Sequence, residues 1–166
     1  GGAAAIIIYP TKALAQDQYT KLLALVNSHP LLVDHVRVGV IDGDTPHSSR
    51  ADICKHSNII LTNPDTIHAA MLPNWKRTYA PFLARVRFVV VDESHVYEGA
   101  FGAHVSLVLS RLIRVCSAAF YKQCDDPTEE EQEPIVFIGC SATIGRPEEH
   151  FRLLCPIADD ATVTVL

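Results

Sequence analysis

The chain has 166 residues and a mass of 18.2 kDa, enough for one ordinary domain with a buried core. Hydrophobic residues make up 48% of it and charged residues 20%, which excludes a mainly disordered chain. The net charge of −5 has one local source, since Asp125, Asp126, Glu129, Glu130, Glu131 and Glu133 lie beside Lys122 alone. The rest is balanced, so overall acidity excludes no class of ligand.

The first predicted element is the apolar run Ile6–Tyr9. The longest uninterrupted apolar stretch, Ala3 to Tyr9, holds seven residues, against the roughly 18 to 20 of a bilayer span. No basic leader accompanies it. The expectation is therefore no membrane partner and no secretion.

Thr11 and Lys12 open a helix whose apolar positions Ala15, Tyr19, Leu22, Leu23 and Val26 follow helical spacing. Strands are expected at Val36–Ile41 and Asn58–Thr62, after which Asn63 as N-cap and Pro64 at the first helical position start another helix. A strand at Phe88–Val91 precedes the clearest amphipathic helix. There Val105, Val108, Leu109, Leu112, Ile113 and Cys116 share one side, with Ser106, Ser110, Arg111 and Arg114 on the other.

Residues 122–134 read as a solvated acidic loop, a poor place for chemistry. Ile135–Gly139 reads as a strand, and Thr162–Leu166 is a further candidate. The strands are continuous apolar runs rather than alternating ones, as in strands covered on both faces. Strand–helix alternation of this kind predicts a single α/β domain over residues 1–166, with a parallel sheet and right-handed crossovers. The five cysteines form no C-x-x-C pair and the eight histidines lack metal-ligand spacing, so no zinc site is assigned.

In an open parallel sheet, ligands bind beyond the carboxyl ends of the strands. The residues there are Tyr9-Pro10-Thr11-Lys12, Asp42-Gly43-Asp44-Thr45, Thr62-Asn63-Pro64-Asp65, Asp92-Glu93-Ser94-His95 and Cys140-Ser141-Ala142-Thr143. One polar strand end means nothing; five on one rim indicate a functional edge. Asp92 and Glu93 after an apolar strand suit a hydrated Mg²⁺ on one carboxylate and an attacking water on the other, the division used in nucleoside triphosphate hydrolysis. The same pair also fits a plain reading in which Asp92 caps a turn and Glu93 is solvated. The helix starts at Thr11 and Asn63 suit phosphates, or are simple caps.

In this order the segments resemble the first RecA-like domain of superfamily 2 helicases. Residues 10–18 resemble motif Ia, and Gly43-Asp44-Thr45 the glycine-containing segment after it. Thr62-Asn63-Pro64-Asp65 resembles the next nucleic-acid-contacting motif, Asp92-Glu93-Ser94-His95 the DExH form of motif II, and Ser141-Ala142-Thr143 motif III. The wording of residues 9–18 and of His95–Val105 is similar to Hrq-type, RecQ-like DNA helicases and their bacterial relatives.

That resemblance implies a RecA-like fold of the P-loop NTPase type, using ATP and Mg²⁺. It also implies unwinding of nucleic acid, DNA favoured over RNA, with 3′-to-5′ polarity and a setting in DNA repair. Asp92 would hold Mg²⁺ through water and Glu93 would position the attacking water. His95, Ser141 and Thr143 would couple nucleotide state to strand binding. Pro10, Thr11, Lys12, Gly43, Asp44, Thr62, Asn63, Pro64 and Asp65 would lie along one strand.

The chain departs from that family in one respect: no G-x-x-x-x-G-K-[ST] occurs in it. A partial domain is therefore expected, without the phosphate-loop strand and without the second RecA-like domain, its partner in the same parent chain. Missing backbone amides and lysine for the β- and γ-phosphates, and missing an arginine finger worth roughly 10³ to 10⁵ in rate, it is expected to be inactive alone. Loss of an internal strand should leave a gap closed by sheet rearrangement, a neighbouring chain or Thr162–Leu166. Two other readings stay open: a non-catalytic nucleic-acid-binding α/β module, and a flavodoxin-like phosphotransfer domain with Asp92 as acceptor.

Overall fold

The computed structural model describes residues 2–124 and 131–166. Five strands form one sheet in the order β2-β3-β1-β4-β5, with every neighbouring pair parallel. They are β1 (Ala4–Ile8), β2 (Val38–Val40), β3 (Ile59–Thr62), β4 (Val86–Val91) and β5 (Val136–Gly139). All lie within the runs expected to be strands except the starts of β1 and β4, which begin two residues earlier.

The chain returns between strands through α1 (Lys12–Ser28), α2 (His47–His56) and a mixed tract after β3. Past β4 it returns through α5 (Gly99–Tyr121), and α6 (Pro147–Leu154) follows β5. The mixed tract opens with the single turn α3 (Pro64–Thr66). Two π-helical turns, Ile67–Met71 and Trp75–Tyr79, lead from it into α4 (Ala80–Leu83).

The strand pattern splits the interior in two. Ala4, Ile6 and Ile8 of β1 point into the large core with Val89 and Val91 of β4 and Val105, Val108, Leu109 and Leu112 of α5. Ile7 turns to the opposite face, where Tyr9, Ala15 and Leu61 pack with Leu14, Tyr19 and Leu22 of α1. Among the described helices α5 is long and apolar enough to cross a membrane, yet its buried face lies in the domain core. Two features were not legible in advance. Helix α2 is polar, burying only Arg50 and Cys54, so its packing leaves little periodic signal. The π-helical turns likewise have no sequence pattern of their own.

One expectation is corrected. Among the described residues Thr162–Leu166 forms no strand and the five strands make one continuous sheet. Instead β5 ends the sheet as an edge with Val136 and Ile138 exposed. The acidic loop lies partly outside the described residues; of its described part, Glu133 pairs with Arg87 and Gln132 accepts from Ser117.

Candidate active site and nucleic-acid rim

Register brings the strand tips level. Ile8 lies opposite Thr62 on one side and Val91 on the other, and Val91 lies opposite Gly139. Backbone bonds carry the ladder one step further, with Tyr9 N–H on Thr62 O, Asp92 N–H on Ile8 O and Cys140 N–H on Val91 O, each at 2.9 Å. The polar residues after four strands therefore share one seam, and Asp42 follows β2 at the same end.

At the centre the chain leaves β4 through a strained turn. Glu93 has φ 50°, the one positive value at a non-glycine among the described residues. Such a conformation costs about 1–3 kcal/mol and persists where the surroundings hold it. Here Glu93 N–H donates to Asp92 Oδ1 at 2.9 Å, and Ser94 N–H donates to Cys140 O at 2.8 Å.

That second bond ties motif II to the segment after β5, and a further bond joins them. Ala142 N–H donates to His95 Nδ1 at 3.2 Å, so the neutral ring carries its proton on Nε2. The same Nδ1 lies 3.5 Å from Glu93 Oε2. His95 thus stands between an acid of one motif and the backbone of the other. His150 on α6 adds a brace, its Nε2–H on Ser94 O at 2.7 Å.

Three neutral groups register the charge of the two acids. Burial first, then Asp92 and Cys140, pushes the Tyr9 hydroxyl up to about 12. Burial first, then Asp92 and Glu93, raises the Tyr97 hydroxyl and the Cys140 thiol. Tyr97 is 2% exposed and its hydroxyl has no hydrogen-bond partner among the described residues. Neither Asp92 nor Glu93 pairs with a lysine or arginine among the described residues, so the negative seam has room for a cation. No group of three ligand side chains gathers there among the described residues, so a metal would be held by one carboxylate and water rather than in a protein cage.

Glycine permits this packing. A Cβ on Gly102 would sit 2.3 Å from Tyr97 O and 2.7 Å from its carbonyl carbon, so only glycine lets α5 start against the motif II turn.

The other half of the rim is closed by hydrogen bonds. Thr11 caps α1, its Oγ1 accepting from Leu14 N–H at 3.2 Å. Lys12 Nζ meets Asp44 Oδ2 at 2.7 Å, joining motif Ia to the Gly43 turn. Asp42 is buried and accepts from Gln16 Nε2 and Thr45 Oγ1 and from the N–H groups of Asp44 and Thr45. Burial pushes its carboxyl up, but those donors outweigh it and hold it below the usual range. Arg50, also buried, fastens α2 to this turn through the carbonyls of Asp42 and Thr45.

The structure joins Asp92, Glu93, Ser94 and His95 to the backbone at Cys140 and Ala142, the segment that holds Ser141 and Thr143, and it leaves Thr11, Lys12, Gly43, Asp44 and Asp65 exposed on the rim with Pro10 half-buried. Thr62, Asn63 and Pro64 are buried, and Asn63 spends its side chain capping Thr66 N–H at 2.8 Å. Gln16, Asp42, Arg50, Tyr97 and His150 escaped the sequence reading. Gln16, Asp42 and Tyr97 stood within or beside the quoted segments, whereas Arg50 and His150 carried no local signal.

Residues 1–151 match the model of the DEAD/DEAH box helicase family. The chain belongs to that family. It is 43% identical over 145 residues to the ATP-dependent helicase HRQ1 of Saccharomyces cerevisiae, covering 87% of this chain and 12% of that protein. Its fold is similar to that of the DUF1998 helicase MrfA bound to DNA, with a TM-score of 0.77 and 34% identity over 92% of this chain and 19% of the other. A second MrfA structure, bound to DNA and AMPPNP, has a TM-score of 0.76 at 34% identity, covering 92% and 19%. The chain thus spans about one eighth to one fifth of these relatives. It is a RecA-like helicase domain of an ATP-dependent family, with the parallel sheet flanked by helices that this fold requires.

Proposed function

We propose that residues 1–166 form part of the first RecA-like domain of a DNA helicase, in which nucleotide state at the Asp92–Glu93 pair is passed to a nucleic-acid track. The observation that carries this reading is the direct link between motifs II and III, Ala142 N–H on His95 Nδ1 beside Glu93. When bound, ATP with Mg²⁺ supplies a phosphoryl group open to attack by water. Asp92 would hold a hydrated Mg²⁺, and Glu93, in its left-handed conformation, would position the water and take its proton. His95 senses the charge at Glu93 and moves the Ser141–Thr143 backbone through the Ala142 bond. Thr11, Lys12, Gly43, Asp44 and Asp65 carry the phosphodiester track without reading sequence. Asp92 fits the metal through its half-buried carboxylate in the negative seam described above.

DNA rather than RNA is supported by the DNA-bound MrfA structures. Polarity of 3′ to 5′, a setting in DNA repair, an intracellular location and a second RecA-like domain as partner rest on the Hrq-type resemblance.

These 166 residues hold no glycine-lysine phosphate loop, so the β- and γ-phosphates have no cradle in them. Phosphate release assays are expected to show no ATP turnover by this chain alone. In a full-length protein that carries a phosphate loop and a second RecA-like domain, Glu93→Gln should reduce kcat by at least about 10²-fold, as loss of a positioned base does. Turnover by the isolated chain that depends on Glu93 defeats the inactivity reading. A Glu93→Gln protein retaining normal kcat defeats the assignment of Glu93.

A further inference from the structure

Away from the rim, α5 turns a different surface outward. No acidic residue occurs from Gly99 to Tyr121, nor from Thr66 to Val91 in the tract that packs against it. The outer stripe of α5 carries His104, Leu107, Arg111 and Arg114, with Leu107 66% exposed. On the first π-helical turn His68 meets this stripe: Arg111 Nη1 donates to His68 Nδ1 at 3.0 Å, and the His68 and His104 rings stand edge to face at 5.2 Å. Neither Arg111 nor Arg114 pairs with a carboxylate among the described residues. The cations that do serve the fold lie elsewhere, Arg85 on backbone carbonyls and Arg87 on Glu133.

Two features say what such a surface takes. His68 lies one turn past Asp65, which is exposed on the rim, so the stripe adjoins the rim rather than forming an isolated patch. From His104 to Arg114 it runs about 15 Å along a convex helix. Its two rings, His68 and His104, stand edge to face on each other and Arg111 binds His68, so neither is an open platform for an unpaired base. Single strands are held by grooves with stacking platforms, whereas a duplex presents only its backbone to a convex, cationic face.

We propose that the His68–His104–Arg111–Arg114 stripe holds the sugar–phosphate backbone of a nucleic-acid duplex, extending the rim track along α5. This rests on the nucleic-acid reading of the rim. The Arg111 fork, oriented by His68, takes one phosphate and Arg114 the next, while Leu107 packs against the sugar edge between them.

The test is fluorescence anisotropy of the chain with a labelled 20-base-pair DNA duplex and with one of its strands, over a salt series. Arg111→Glu with Arg114→Glu should weaken duplex binding at least tenfold and change single-strand binding less than twofold. Loss of two contacts should flatten the slope of log K against log salt by about 1.8. Arg114→Glu alone, which breaks no internal bond, should show at least a threefold loss with an unchanged unfolding midpoint.

Duplex binding within twofold of the parent, while Lys12→Glu weakens the single strand, overturns this inference and leaves the rim reading standing. Absence of binding to either DNA by the parent chain defeats the rim reading itself. A loss confined to Arg111→Glu and matched by a lower unfolding midpoint overturns the proposal, as does poly-L-glutamate binding that the double variant abolishes.

Discussion

Two acidic corners of the rim, built from the same residue type at the ends of β2 and β4, are used in opposite ways. At the Asp42 corner the carboxylate is saturated: four donors from Gln16, Thr45 and two backbone amides converge on it. At the Asp92 corner the acids accept little, one amide on Asp92, and a buried phenol close by has no partner among the described residues. A saturated carboxylate stabilises the fold; an unsaturated pair in a common field is available for a cation or a substrate. Being acidic, and following a strand, does not distinguish the two. Hydrogen-bond saturation does.

The largest effect should come from breaking the saturated corner. Asp42→Ala strands four donors at once and is expected to cost about 3–5 kcal/mol in urea unfolding. Asp92→Asn, at the other corner, should cost under about 1 kcal/mol because it removes a charge that has no ion pair, and the amide oxygen can still accept from Glu93 N–H. Comparable losses at the two positions would erase the contrast.

Gly102→Ala comes next. Its Cβ meets backbone rather than a yielding side chain, so the motif II turn or α5 must shift, at about 2–4 kcal/mol in the same assay.

The pH dependence should follow Asp42. Its carboxyl is held below the unfolded value, so its contribution is fully present above about pH 4 and is lost as pH falls through the folded value. Asp42→Asn should therefore flatten the acid limb of a stability–pH curve, whereas Asp92→Asn should leave that limb in place. At the alkaline end Tyr9, raised to about 12, keeps its proton in the folded state after the unfolded phenol has lost it near pH 10. Folding stability drawn from Tyr9 is complete below about pH 10 and disappears towards 12, and Tyr9→Phe should remove that alkaline loss.

The smallest effect is expected at the orphan hydroxyl. Tyr97→Phe removes a buried group that has no partner, so stability should be unchanged or rise by up to about 1 kcal/mol. A loss larger than that would reveal a partner for the hydroxyl and would narrow the contrast between the corners.

Much of the rim was readable because parallel strands covered on both faces are written as apolar runs, and the polar residues that interrupt them must lie at strand ends. Ile6-Ile7-Ile8 before Tyr9 and Val89-Val90-Val91 before Asp92 are such cases. Exposure was not readable. Thr62, Asn63 and Pro64 look like the other polar ends, yet all three are buried. Arg50 looks like a surface residue of a polar helix, yet it is 4% exposed because α2 lies against the Asp42 turn.

Read alone, the order of residues determined which segments become strands, which helices carry an apolar face, and that five polar tips share one edge, since periodicity and chain direction suffice for each. Only the folded chain decided how the acids differ: the donors that saturate Asp42 come from 26 residues earlier as well as from its own turn, and the amide that meets His95 comes from 47 residues later. Hydrogen-bond saturation is set by neighbours in space, and tertiary packing alone brings such distant neighbours together.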